Sequence, residues 1–138
     1  MATIVLGYDA SPGAKRALET SLDLATHFGD RLLIAFGAAP PGTPTEEAHA
    51  HLQALQELGG RVTAGALERA REAGVEAEVE LVPLRASAAL VQLADREDAR
   101  MIVVGTYGES PIKGAILGST PHKLLHLSER PVLVVPGG

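Results

Sequence analysis

The run Met101-Ile102-Val103-Val104 delivers the chain into Gly105-Thr106-Tyr107-Gly108, and nine residues later comes Gly118-Ser119-Thr120. These types at this spacing suit the binding of phosphate. Glycine lets a backbone approach an anion closely, consecutive amides can form a nest, and a helix start beyond Thr120 would add roughly half a positive charge. Two such turns can converge on one anion. A lone Gly-x-x-Gly pair would be weak evidence among 15 glycines in 138 residues, whereas an apolar strand followed by G-x2-G-x9-G-S is much rarer.

Other reactive side chains are sparse. Asp9 closes the apolar run from Ala2 to Tyr8, where its carboxylate could hydrogen-bond ribose hydroxyls or a base amino group, or could simply cap a turn. No Gly-Lys-Ser/Thr follows Gly108, so the glycine element is not a Walker loop, and no G-x-G-x-x-G follows the first strand. Lys113, in the spacer, could reach a phosphate or be a solvated loop lysine; Glu109 is the one base candidate inside the motif. His122 and His126 stand four apart without the intervening glutamate of a zinc protease, which favours surface histidines over a metal pair, and His49 and His51 diverge around a helix. Ser11, Ser87 and Ser110 have no His/Asp arrangement around them, so a hydrolase triad is not supported, and no metal ligand set or catalytic residue is assigned.

The elements that must position these groups alternate in type. Ser11-Pro12 reads as a helix cap with proline at the first helical position; apolar residues at three- and four-residue spacing then run to Phe28, and Gly29 supplies a stop. Leu32 to Ala38 is a second strand. Thr43-Pro44-Thr45-Glu46 opens, as a capping box, a helix that runs to about Ala73, with a kink or break expected at Gly59-Gly60. Val75, Ala77, Val79 and Leu81 alternate with glutamates, the mark of a half-exposed edge strand. A helix over Ala86 to Glu97, the Met101 to Val104 strand, a fourth helix from Thr120-Pro121 to Ser128 and a last strand from Pro131 to Pro136 complete the chain. Strands separated by helices predict a single-domain α/β fold over 1–138: an open, five-stranded parallel sheet with helices on both faces, binding its ligand beyond the carboxyl ends of the strands.

Composition narrows the function. With 46% hydrophobic but only 3% aromatic residues, the core must be built from Ala, Val, Leu and Ile. A formal charge of −5 argues against a nucleic-acid partner. The absence of cysteine excludes disulfides and thiolate chemistry and is compatible with the cytoplasm, and no apolar run approaches the roughly 18 residues of a membrane span. The expectation is a soluble cytoplasmic protein with no membrane partner.

The glycine composite resembles the nucleotide motif of the ATP-binding branch of the universal stress protein family. Ile4-Val5-Leu6-Gly7-Tyr8-Asp9-Ala10-Ser11 resembles that family's first strand ending in aspartate, and Arg130-Pro131-Val132-Leu133-Val134-Val135-Pro136 its last strand. The resemblance implies a Rossmann-like, adenine nucleotide α-hydrolase-like sheet of order 3-2-1-4-5. It implies a stress-response regulatory protein that holds ATP with Mg²⁺ and forms a homodimer through Pro131 to Pro136; little or no hydrolysis is expected from the residues themselves, since Lys113, Ser119, Thr120 and Glu109 offer no arginine and no well-held base near the proposed phosphates. The implied nucleotide-binding positions are Tyr8, Asp9, Ala10, Phe36, Val104, Gly105, Thr106, Gly108, Gly118, Ser119 and Thr120. Phe36 and Val104, as last residues of apolar strands, are either adenine walls or plain core. Pro121 departs from the family by removing an amide donor. Leu84, Ala86 and Arg100 also depart from it, at positions expected to shape the rim of the pocket. The alternatives are a slow ATPase or adenylyl-transferring enzyme of the same fold group, or a module for a cyclic or monophosphate nucleotide.

Overall fold

A computed structural model describes residues 1–9, 11–37, 46–82, 86–106 and 124–136. The element order is β1 (Thr3–Gly7), α1 (Pro12–Phe28), β2 (Arg31–Gly37), α2 (Glu46–Glu72), β3 (Ala77–Val82), α3 (Ala86–Glu97), β4 (Met101–Gly105) and β5 (Val132–Val135). The strands form one parallel sheet of order β3-β2-β1-β4-β5, the predicted arrangement, with Leu6 opposite both Ile34 and Val103. Between β1 and β4 the order reverses: the chain steps outward through β2 to β3, then returns to build β4 and β5 on the other side.

Strand periodicity divides the core in two. Ile4, Leu6, Leu32, Ile34 and Val103 face α1 and α2, meeting Ala14, Ala17, Leu18, Leu22, Ala25, Ala66 and Ala70. Val5, Leu33, Ala35, Ile102 and Val104 face the other way, against Leu90, Leu93 and Ala94 of α3 and the fully buried Leu124. Small helix residues over branched strand residues let the layers approach closely, which is how a core nearly without aromatics is filled.

α1 begins as its sequence dictates. Ser11 is its N-cap and accepts a hydrogen bond from the Ala14 amide at 3.2 Å; Pro12 follows, and Gly29 closes the helix in the left-handed conformation at φ 70°. α2 is continuous through Gly59-Gly60, so the helix does not break there, and Gly59 has a packing role. A Cβ on Gly59 would stand 2.8 Å from Phe36 Cδ1 and 3.2 Å from Leu81 Cδ2, so the bare backbone is what lets the helix lie flat on the ends of β2 and β3. At about 1.5 Å per residue, the 27 residues of α2 are nearly twice the length of the strands beneath, and its first turns overhang their carboxyl ends.

The Thr43 to Thr45 part of the capping box and the start of the fourth helix lie outside the described residues; residues 124–127 are helical. Among the described residues, no helix is long and apolar enough to cross a membrane.

Candidate functional site

The crevice at the reversal of strand order is bounded by the carboxyl ends of β1 and β4. β1 ends in Gly7 and leads to Tyr8 and Asp9. The Tyr8 amide donates to the Ala35 carbonyl at 3.0 Å, extending the pairing with β2 by one residue. Tyr8 is 7% exposed and joins the α1/α2 side of the core. Burial, and secondarily the Asp9 charge, pushes its hydroxyl above the ordinary tyrosine range, so it stays protonated at neutral pH. Asp9 is exposed, and its Oδ1 accepts from the Ser11 amide at 2.9 Å. One carboxylate oxygen thus shapes the turn into α1 while the group as a whole stands at the crevice, so capping and ligand contact are compatible.

The other wall is backbone. β4 ends at Gly105, and the Thr106 amide donates to the Val135 carbonyl at 3.0 Å. The first turn of α1 lies directly on this strand end. A Cβ on Gly13 would fall inside contact distance of the Thr106 carbonyl oxygen, 3.1 Å from its carbon and 3.3 Å from the Thr106 nitrogen. A Cβ on Gly105 would overlap the Gly13 carbonyl and stand 2.8 Å from the Ala14 nitrogen. Neither glycine has a left-handed φ. Conformation would therefore admit alanine at both, and in a helix alanine is preferred to glycine by up to about 1 kcal/mol. The contact, not the backbone angle, demands glycine. Gly13 was missed from sequence; the available signal was a glycine in the first turn immediately after a Ser-Pro cap, where propensity gives no reason for one.

The structure separates the two adenine-wall candidates. Phe36 shares the face of Leu32 and Ile34 and packs beneath Gly59 of α2. Val104 is 4% exposed on the opposite face with Leu90, where a Cβ on Gly7 would stand 3.2 Å from its Cγ1. Tyr8 and Phe36 thus lie on one side of the sheet and Val104 on the other. Ala10, Gly108, Gly118, Ser119 and Thr120 lie outside the described residues, as do Leu84, Lys113, Glu109, Pro121 and His122.

Arg100 requires a correction. It was expected at the rim of the pocket, but it precedes β4 and therefore sits where the strands begin, at the opposite end of the sheet. There its amide donates to the Thr3 carbonyl, its Nε meets Asp30 Oδ2 at 2.5 Å, and its guanidinium lies 4.4 Å over the Phe28 ring. Among the described residues, no group of three His, Cys, Asp or Glu side chains could hold a metal ion.

Comparison with known proteins agrees with this geometry. The model of the universal stress protein family matches residues 1–136. A universal stress protein of Mycobacterium tuberculosis strain H37Rv is 35% identical over 144 residues, covering 96% of this chain and 94% of the relative. The crystal structure of a universal stress protein in complex with cAMP superposes with a TM-score of 0.74 at 31% identity, covering 99% of this chain and 98% of that one. A family protein from Burkholderia pseudomallei superposes with a TM-score of 0.80 at 28% identity, covering 98% and 96%.

Proposed function

The chain belongs to the universal stress protein family, and on that membership we propose that it is an ATP-binding regulatory protein of the stress response, with its nucleotide in the crevice between β1 and β4. The observation that supports this most is the meeting of the first turn of α1, which the Asp9 turn leads into, with the Gly105-Thr106 strand end where the strand order reverses, the place where open parallel sheets take ligands. In this reading Asp9 bonds the ribose or base, with Tyr8, Ala10 and Phe36 beside it and Val104 contributing from behind its strand end. Gly105, Thr106, Gly108, Gly118, Ser119 and Thr120 surround the phosphates and give them amides and hydroxyls, Thr106 through its side chain because its amide is taken by the Val135 carbonyl. Mg²⁺ would be held chiefly by phosphate oxygens, its common mode, since the described residues provide no cage of their own.

Amide donors bind ground state and transition state alike, which favours affinity over rate. Turnover is accordingly proposed to be absent or far below the roughly 10 per second of a median enzyme. One observation favours a second reading, a cyclic or monophosphate nucleotide: the relative in complex with cAMP, together with the amide that Pro121 lacks.

Titration calorimetry with ATP, AMP and cAMP on metal-replete protein, with phosphate release followed in parallel, tests the reading. ATP is expected to bind tightest, with release near background. A preference for cAMP or AMP selects the second reading, and no heat with any of the three overturns both.

Assembly belongs to the same proposal. β5 is the sheet edge opposite the glutamate-bearing β3, and its four valine and leucine residues are each only half-buried in the single chain. An uncharged apolar edge is a hazard that pairing removes, so the homodimer is placed at Pro131 to Pro136. Sedimentation should give a dimer at micromolar protein; a monomer there contradicts it.

A further inference from the structure

Resting on the nucleotide reading above, we propose that Gly13 is a positioning residue for phosphate recognition: it lets the first turn of α1 clamp the peptide from which the phosphate turn departs. Thr106 is held on two sides. Its amide is bonded to Val135 of β5 at 3.0 Å, and its carbonyl oxygen lies where a Cβ on Gly13 would have to be. Gly105 stands in the reciprocal relation to the Gly13 carbonyl and the Ala14 nitrogen.

The atoms in opposition are all backbone, so no side-chain rotation can relieve an added methyl group. Either α1 moves off β4 or the Thr106 peptide rotates. α1 is not free to retreat, because its entry is fixed by the Asp9 carboxylate on the Ser11 amide and the Ser11 hydroxyl on the Ala14 amide, and its inner face is packed through Ala17, Leu18 and Leu22. The displacement therefore falls on the strand end that launches the glycine turn. Hydrogen bonds to phosphate depend on donor direction, so affinity for the phosphate part of the ligand is lost. Contacts to base and ribose are retained, because they come from Tyr8, Asp9 and Phe36 at the ends of β1 and β2 and from Val104, which is buried against α3 below the displaced strand end.

The test compares ATP with adenosine on wild type, Gly13→Ala, Gly105→Ala and the double variant. Gly13→Ala is expected to weaken ATP about tenfold, the loss of one charge-assisted hydrogen bond, while adenosine changes less than about twofold. The double variant should lose no more than about the worse single one, because both methyl groups separate the same pair of backbones. Equal loss of both ligands would mean a merely structural glycine and would overturn the proposal, as would unchanged ATP affinity in a folded variant.

A measurement on wild type keeps the proposal testable if the variants do not fold. The backbone amide resonances of Gly13 and Thr106 should shift together on ATP addition and stay in place with adenosine; resonances unmoved by bound ATP overturn it. Wild type that binds neither ligand defeats the nucleotide reading, and this proposal with it. Wild type that binds ATP with Gly13→Ala indifferent defeats this proposal alone.

Discussion

At the end where the strands begin, arginines reach across elements to carboxylates. Arg31 meets Thr3 Oγ1 at 2.9 Å and Glu97 at 3.1 Å, Arg130 meets Asp98 and the Ala99 carbonyl at 3.0 Å, and Arg100 meets the buried Asp30. At the end where they finish, the contacts that join β4 to α1 and β5 are backbone on backbone: Gly13 on Thr106, Gly105 on Gly13, Thr106 on Val135. Long side chains tie the starts of β1, β2, β4 and β5 together, while at the other end glycines let α1 meet the end of β4 backbone to backbone. On the nucleotide reading proposed above, stability and recognition are separable, and substitutions at the two ends should leave different signatures.

The largest effect is expected at the glycine end. Gly118→Val places a branched side chain where the proposed phosphate lies, and ATP binding should fall below detection while the thermal midpoint hardly moves. A folded Gly118→Val protein with wild-type ATP affinity would remove the phosphate assignment.

The mirror-image variant is Asp30→Ala. Asp30 is 5% exposed, and besides Arg100 it accepts the Ala2 amide at 3.2 Å. Deleting it leaves a largely enclosed amide and a guanidinium without their shared acceptor, a loss of about 1–3 kcal/mol in stability. The other ion pairs at this end are more exposed, and each is worth little. Urea denaturation should show that loss with ATP affinity unchanged; a parallel loss of affinity would mean that the two ends are coupled after all.

The alternation of elements and the α1 cap were legible because each rests on local pattern: Ser11-Pro12 at a cap, apolar residues at helical spacing from there to Phe28, glutamates alternating along β3; the strand order was implied by the family resemblance. What it hid depends on approach between distant segments. Gly13 and Gly105 are 92 positions apart, and only the folded chain shows that the Gly13 backbone excludes a side chain on Gly105 while the neighbouring Thr106 carbonyl excludes one on Gly13. Gly59 was read as a local weakness because propensity describes a helix alone, whereas its value lies in the Phe36 ring below it. Arg100 was misplaced for a related reason: the residue before a strand and the residue after it look equally near a motif in sequence, but a five-residue strand separates them by roughly 20 Å.

The smallest expected effect sharpens the comparison through pH. The Arg100 hydrogen bond, helped by the Ala2 amide and the Arg100 charge, holds the Asp30 carboxyl below its ordinary value of 3.8, against the opposing cost of burial. A carboxyl with a depressed folded-state pKa binds its proton more readily in the unfolded chain. Its contribution is therefore fully present above about pH 4 to 5 and lost as pH falls through the folded-state value. Asp30→Asn keeps an oxygen for the Ala2 amide but cannot ionise. It should be less damaging than Asp30→Ala at pH 6, and its deficit should shrink as both proteins are taken toward pH 2.5, because the wild-type unfolded chain takes up the proton first and the charge then contributes less. Urea midpoints at several pH values measure this. A deficit constant from pH 6 to pH 2.5 would mean that Asp30 acts through shape and hydrogen bonding alone, and that charge is not what closes this end of the sheet.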